Sequence, residues 1–224
     1  DVAAEEDRRA IEALGAALVG SGKPLVITAG IGRLAGGRTF TEDDEADPST
    51  GSAHRLPSER AALALASRGV RSSVVRLSPT VHDRGDHGFV PALIGIARQK
   101  GVSAYVGDGR NRWPAVHRLD AAQLFRLALE NGAAGSRFHG VAEEGIPTRE
   151  IAEVIGRRLQ IPIASKSLDE AATHFGFLGR FFAADVPASN TRTRERLGWT
   201  PRHPGLLADL DGEHYFATDA SKAT

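Results

Sequence analysis

The chain has 224 residues, 41% hydrophobic and 25% charged, with Lys plus Arg equal to Asp plus Glu at 28 each. That length can bury a sizeable core, and the balanced charge gives no overall field to attract nucleic acid or an anionic membrane. Cysteine is absent, which excludes disulfides and thiolate chemistry; no apolar run reaches the ~18–20 residues that span a bilayer, so a cytoplasmic protein is expected.

The opening stretch places Ile11, Leu14, Leu18 and Val19 at helical spacing, with acids in the first turn and Gly20 and Gly22 as a stop. Pro24–Thr28 reads as a buried strand. It runs into Gly30, Gly32 and Gly36, which raises the question of a phosphate-binding turn. The expected answer is negative. Such a turn needs a helix directly after the glycines, whereas "GRTFTEDDEADPST" is acidic, contains proline and has no apolar stripe. The spacing is GxGxxxG, and residues 29–53 are expected to form a loop.

Pro57 opens a second helix that ends at Gly69. "VRSSVVRL" is the next strand and "GFVPALIGIARQKG" the next helix. "VSAYVGDG" and "WPAVH" read as short strands around a polar loop. "LDAAQLFRLALENG" is a helix with Asp120 in its first turn, and "SRFHGVA" is a strand. "IPTREIAEVIGRRLQIP" is a helix between Pro147 and Pro162, with Thr148 as its cap. The alternation predicts an α/β fold, a largely parallel sheet with helices on both faces, and residues 217–224 as a frayed tail.

Four segments carry a resemblance. "VVRLSPTVHDRGDHGF" is similar to the "LRPxxVYGPG" strand and loop of extended short-chain dehydrogenases/reductases, the NAD-dependent epimerase/dehydratase family. "YVGDGRNRWPAVHRLDAAQLFRLALE" resembles that family's "GDGxxxxxxVHVDDLAxAxxxALE". The "IPTREIAEVIGRRLQIP" helix and "TRERLGWTPRHP", with its "LGWxP", follow in the same order. The resemblance covers about residues 1–210. It makes the first helix the fourth of the family's Rossmann domain and Pro24–Thr28 its fifth strand. The glycine-rich loop then belongs roughly 60–80 residues upstream of Asp1. Residues 1–79 are expected to be the later part of the NAD(P)-binding domain. Residues 80–216 are expected to be mainly a smaller C-terminal α/β substrate lobe, interleaved with sheet elements.

The family's catalytic pair is Tyr-x-x-x-Lys, in which the lysine lowers the phenol's pKa from ~10. Here Arg55 and Glu59 stand at those positions, while Tyr105 and Tyr215 have Gly109 and Asp219 four residues on. The sequence thus resembles the family's atypical members. By that resemblance Thr28, Arg55 and Glu59 occupy the catalytic positions, and Thr28, Pro79, Thr80 and Val81 contact NAD or NADP. His82, His87, Arg110, Arg112 and Trp113 face a small or sugar-like substrate. Other readings stay open beside these. Arg55 and Glu59 also suit a surface i,i+4 pair. His82, Asp83, Asp86 and His87 are all metal-ligand types, but the loop is read as substrate-contacting or solvated and no metal is assigned. His117 and Asp120 suit side-chain hydrogen bonds joining strand to helix. A homodimer through the 3–20 and 57–68 helices is expected, with burial inside the subunit as the alternative. Three functions remain: an NAD(P)-dependent oxidoreductase or epimerase-like protein, a non-catalytic cofactor sensor or scaffold, and a cofactor-independent hydrolase or lyase.

Overall fold

Seventeen residues of good helix formers coil into α1 (Val2–Leu18), and a short turn leads into β1 (Pro24–Gly30). The computed structural model describes residues 2–32, 34, 37–50 and 54–217; Gly36 and the tail from 218 onward lie outside them. After the loop, α2 (Leu56–Ala64) begins with Pro57 in its first turn and continues as a 3-10 turn over Leu65–Arg68. Gly69 closes it at φ 74°, in the left-handed region that suits glycine. Then come β2 (Arg71–Leu77), β3 (Thr80–His82), α3 (Phe89–Lys100), β4 (Ser103–Val106), β5 (Arg112–His117) and α4 (Arg118–Asn131). The rest is β6 (Ser136–Gly140), β7 (Glu143–Pro147), α5 (Thr148–Leu159), β8 (Ile163–Lys166), α6 (Leu168–Phe175), α7 (Leu178–Phe182), α8 (Thr191–Leu197) and α9 (Leu206–Leu210).

The described strands form three sheets. The first is parallel, in the order β1-β2-β6, with Gly30, Leu77 and Gly140 level at the carboxyl ends. Its strands alternate. Ile27, Ala29 and Val74 pack with Ile11, Ala62 and Leu65 of α1, α2 and the turn after it, while Val75 and Phe138 pack with Leu124 of α4 and with Trp199. A sheet covered on both faces is the parallel α/β arrangement the alternation predicts. The second sheet is β3-β5-β7, parallel between β3 and β5, antiparallel between β5 and β7. The third pairs β4 with β8. The lobe core lies between α3, α5, α6, α7 and α9, around Ile94, Trp113, Ile151 and Phe182.

Several local expectations change. Leu14 is 56% exposed and Val19 is also exposed; the face α1 buries is Ile11 and Gly15. A methyl on Gly15 would sit 2.2 Å from Leu65 Cδ1, so glycine is what lets α1 approach that closely. Thr148 is not the cap of α5; Pro147 holds that position, and the Thr148 hydroxyl donates to Asn111 Oδ1 at 2.6 Å. The described part of the 29–53 loop carries one apolar anchor that the sequence pattern did not mark, the buried Phe40. No described helix is long and apolar enough to cross a membrane.

Candidate functional site

In open α/β sheets ligands bind outside the carboxyl ends of the strands. Here that region is the break between the first and second sheets, where β2 leaves through Ser78 and Pro79 to become β3. Ser78 holds the break by donating its N–H and hydroxyl to Gly140 O, at 3.2 and 2.7 Å.

The face of the first sheet that meets α2 is apolar at Ile27 and Val74 and turns ionic one step later. Arg76 and His139 are register partners pointing to that face, with Arg137 beside them. Glu59, in the first turn of α2, answers them. Its Oε1 accepts from Arg76 at 2.5 Å and from Arg137 at 2.8 Å, and its Oε2 accepts from Arg76 at 2.9 Å. Glu59 is 4% exposed and Arg76 1%. Burial alone would raise the Glu59 pKa, but the two guanidinium groups win and hold it below the ordinary carboxylate value. His139 donates from Nδ1 to Ser189 O at 2.8 Å and turns Nε2 to Arg76 at 3.3 Å. Burial, aided by the Arg76 charge, pulls its pKa down to about 4, so the ring is neutral at pH 7.

Phe40 lies over this node. Its ring stacks on His139 at 5.5 Å between centroids, with Arg76 4.9 Å from its centre. The loop around it is fastened to residues 187–193. Phe40 N–H donates to Pro187 O at 2.8 Å and Ser189 N–H to Phe40 O at 2.9 Å. Glu42 Oε1 accepts the N–H and hydroxyl of Thr193, both at 2.7 Å. The loop after β1 is therefore a strap across the carboxyl ends of β2 and β6.

A second polar cluster closes the far side. His82, at the end of β3, sets Nδ1 2.8 Å from Asp209 Oδ2 of α9, while its Nε2 is buried with no hydrogen-bond partner. His117, its register partner on β5, accepts from Leu119 N–H at 3.2 Å through Nδ1 and holds Nε2 3.6 Å from Asp83 Oδ1. Its ring stacks on His203 at 4.6 Å. Burial lowers its pKa, and the neighbouring His82 and His203 lower it further against Asp83 and Asp209. Asp120 accepts from Arg202 N–H, His203 N–H and His203 Nδ1, at 3.0, 3.1 and 2.8 Å. His117 thus caps its own helix as expected, whereas Asp120 anchors the C-terminal segment.

The positions singled out in the sequence separate. Arg55 does not pair with Glu59. It donates to Thr28 O at 2.8 Å and lies 3.2 Å from Asp7 of α1, so Thr28 and Arg55 do come together. Thr28 is exposed; Thr80 is buried with an unpartnered hydroxyl; Pro79 and Val81 are half-buried. His82 is inside and His87 outside. Arg110 is exposed, while Arg112 is clamped by Asp185 at 2.8 Å and reaches Gly37 O at 3.0 Å. Trp113, 2% exposed, is packed edge-on against Phe89 and Phe182, so its ring faces the core. Arg76, His139, Phe40 and Asp209 were not singled out. An arginine inside the apolar run "VVRL" was the available signal for the first.

These residues fit a dinucleotide unevenly. Among the described residues no α-helix follows Gly30 before α2, and a Cβ on Gly32 would meet Phe40 and Ala46 at 2.7 and 2.8 Å, so that glycine serves the strap. The described residues do not fit a pyrophosphate. What they offer is the exposed Thr28 at one strand end and the unpartnered Thr80 hydroxyl at the sheet break.

No protein-family model matches the chain. It is 52% identical over 211 residues to Uncharacterized protein C2A9.02 of Schizosaccharomyces pombe, covering 94% of this chain and 71% of that protein. It is 46% identical over 206 residues to Uncharacterized protein YLL056C of Saccharomyces cerevisiae, covering 92% and 69%. Among solved structures, DesIV, the dTDP-glucose 4,6-dehydratase from Streptomyces venezuelae with NAD and TYD bound, superposes with a TM-score of 0.72 at 18% identity. That match covers 94% of this chain and 65% of DesIV, so the chain spans just under two thirds of that enzyme's length. At such identity the likeness establishes the architecture, a Rossmann-type parallel sheet with an attached lobe. The chain belongs to the family of C2A9.02 and YLL056C, and its fold is that of solved NAD-dependent epimerase/dehydratase enzymes.

Proposed function

We propose that this chain forms the nicotinamide and substrate side of an NAD- or NADP-dependent oxidoreductase or epimerase-like protein of the cytoplasm. Its substrate is small or sugar-like, and it works without the Tyr-x-x-x-Lys pair. The observation that carries this reading is the sheet break at Ser78–Val81, beside Thr28 and Arg55, in a fold shared with an enzyme solved with NAD. The nicotinamide cofactor supplies hydride transfer when bound. Arg55, fixed by the Thr28 carbonyl and Asp7, is positioned to hold an anionic group at the strand end. The strap and the 187–193 segment exclude water from the far side. In the same proposal a homodimer forms through the 3–20 and 57–68 helices, with Leu14 of α1 and Val19 just after it as exposed apolar side chains.

The test is calorimetric titration of NADH and NADPH into the full-length fission-yeast relative and into this chain. Binding by the relative, weakened about tenfold by substitutions equivalent to Thr28→Val and Thr80→Val, is expected. Absence of binding by the full-length protein would end the proposal.

One observation favours a non-catalytic cofactor sensor as a second reading. Burial and the nearby Asp86 and Asp209 raise the Tyr215 phenol far above its usual pKa, and every described oxygen of Glu59 is engaged by arginine. Neither group is a ready base. Binding without turnover across a panel of nucleotide sugars would select this reading.

A further inference from the structure

The geometry points to a divalent-cation site made by Asp83, His117 and Asp209, where the C-terminal segment meets the ends of β3 and β5. One ligand atom from each residue lies within 4.8 Å of the other two. The three come from separate elements: the turn after β3, the last residue of β5, and α9. Only Asp83 belongs to the His/Asp loop whose composition suggested a metal, so the site is assembled by the fold and not by local spacing.

The surroundings orient these groups as ligands. Asp209 gives Oδ2 to the buried His82 ring at 2.8 Å, while its Oδ1 has only a long 3.4 Å approach from His214 Nε2. A carboxylate steered by an imidazole on its outer oxygen is the usual support for a metal ligand. Asp83 is held by Arg118 on Oδ2 at 2.8 Å and by Arg84 N–H on Oδ1 at 2.6 Å, and the remaining lone pair of Oδ1 faces His117 Nε2 across 3.6 Å. That gap is too long for a hydrogen bond and is spanned by a cation at ordinary ligand distances of about 2.0–2.2 Å. Two carboxylate oxygens and one imidazole favour Mn²⁺, Zn²⁺ or Fe²⁺ over Ca²⁺, which takes six to eight oxygens. Three protein ligands leave at least one position for water or a substrate oxygen.

Coordination has a cost that is also its signature. In the free ring Nδ1 accepts from Leu119 N–H, which puts the proton on Nε2. Binding a cation through Nε2 moves that proton to Nδ1 and breaks the 3.2 Å cap bond. The cation in turn joins α9 to β3 and β5, so it fastens the C-terminal segment.

The experiment uses the full chain treated with chelator and then titrated with Zn²⁺ by calorimetry and with Mn²⁺ by paramagnetic resonance. One equivalent should bind, and long-range ¹H–¹⁵N spectra with Zn²⁺ should show His117 changing from the Nε2–H to the Nδ1–H tautomer. Asp209→Asn should weaken binding at least ~100-fold and His82→Gln about tenfold, with His87→Ala unchanged. If Asp209→Asn does not fold, Asp83→Asn, on a half-buried turn, decides the same point. The proposal is overturned if neither ion binds stoichiometrically, if the folded carboxylate variant binds as tightly as the parent, or if the His117 tautomer stays put.

Discussion

Two buried polar clusters flank the same sheet break, and they are built on opposite principles. Around Glu59 the acceptors are used up: both oxygens are held by guanidinium groups, and His139 has a partner at each nitrogen. Around His82 and His117 the contacts are incomplete: His82 Nε2 has no hydrogen-bond partner, His214 Nε2 only approaches Asp209 at 3.4 Å, and His117 stands 3.6 Å from Asp83. A closed network of charges specifies a structure but has no capacity left for chemistry. An open one keeps lone pairs available. Glu59, one of the two positions expected to match the resembled family's catalytic pair, thus sits in the closed cluster while Arg55 lies outside it, and the unused lone pairs are on the other side of the break.

The largest effect that would break this contrast concerns Glu59. Glu59→Ala leaves the buried Arg76 and the half-buried Arg137 without their carboxylate, and a loss of about 3–5 kcal/mol in urea denaturation is expected. A loss under about 1 kcal/mol would show that the cluster is not structural.

Acid should find the same cluster. His139 titrates near 4 in the folded chain and near 6.5 when unfolded. Between those values only the unfolded state takes up the proton, so stability falls as pH drops from 6.5 to 4, by on the order of 3 kcal/mol. Glu59, with its depressed pKa, adds stability that is present above its unfolded value of 4.5 and is lost below that as pH falls through its folded value. Melts in urea at pH 7, 5.5 and 4 measure this, and His139→Gln should flatten the upper part of the curve. An unchanged slope would rule out His139 as its source.

In the open cluster the expected losses are smaller. Asp120→Ala strands the N–H groups of Arg202 and His203, costing about 1–3 kcal/mol and speeding hydrogen exchange at those two amides first. Exchange that rises uniformly across the chain would instead place Asp120 in the global core. Smallest is Arg55→Ala. The side chain is partly exposed, so thermal stability should change by less than about 1 kcal/mol while cofactor or anion binding falls. A large stability loss with binding intact would make Arg55 a structural strut.

Much of the frame was readable. β1, β2, β5 and β6 announced themselves by short β-branched or apolar runs, and α3, α4 and α5 by helical periodicity with glycine or proline at their borders. β3 is three residues long and β7 and β8 read "EEGIP" and "IASK", too short or too polar to stand out from turns. They become strands because neighbours already in place offer edges. The strap was hidden for a different reason. Phe40 is a single aromatic in an acidic stretch, and its burial depends on residues 187–193 arriving from far along the chain. The site clusters are similarly non-local: His82 and Asp209 are 127 residues apart, a pairing no local spacing encodes.

The molecule also carries its own pair of optical reporters. Its two tryptophans are both fully interior, Trp113 among the aromatics of the lobe and Trp199 against α4 beneath the parallel sheet. Replacing either one by phenylalanine leaves a single emitter in one half. Emission-monitored melts of the two variants therefore ask directly whether lobe and sheet come apart together or in sequence. Coincident midpoints would mean that the strap and the C-terminal segment weld both halves into one cooperative unit.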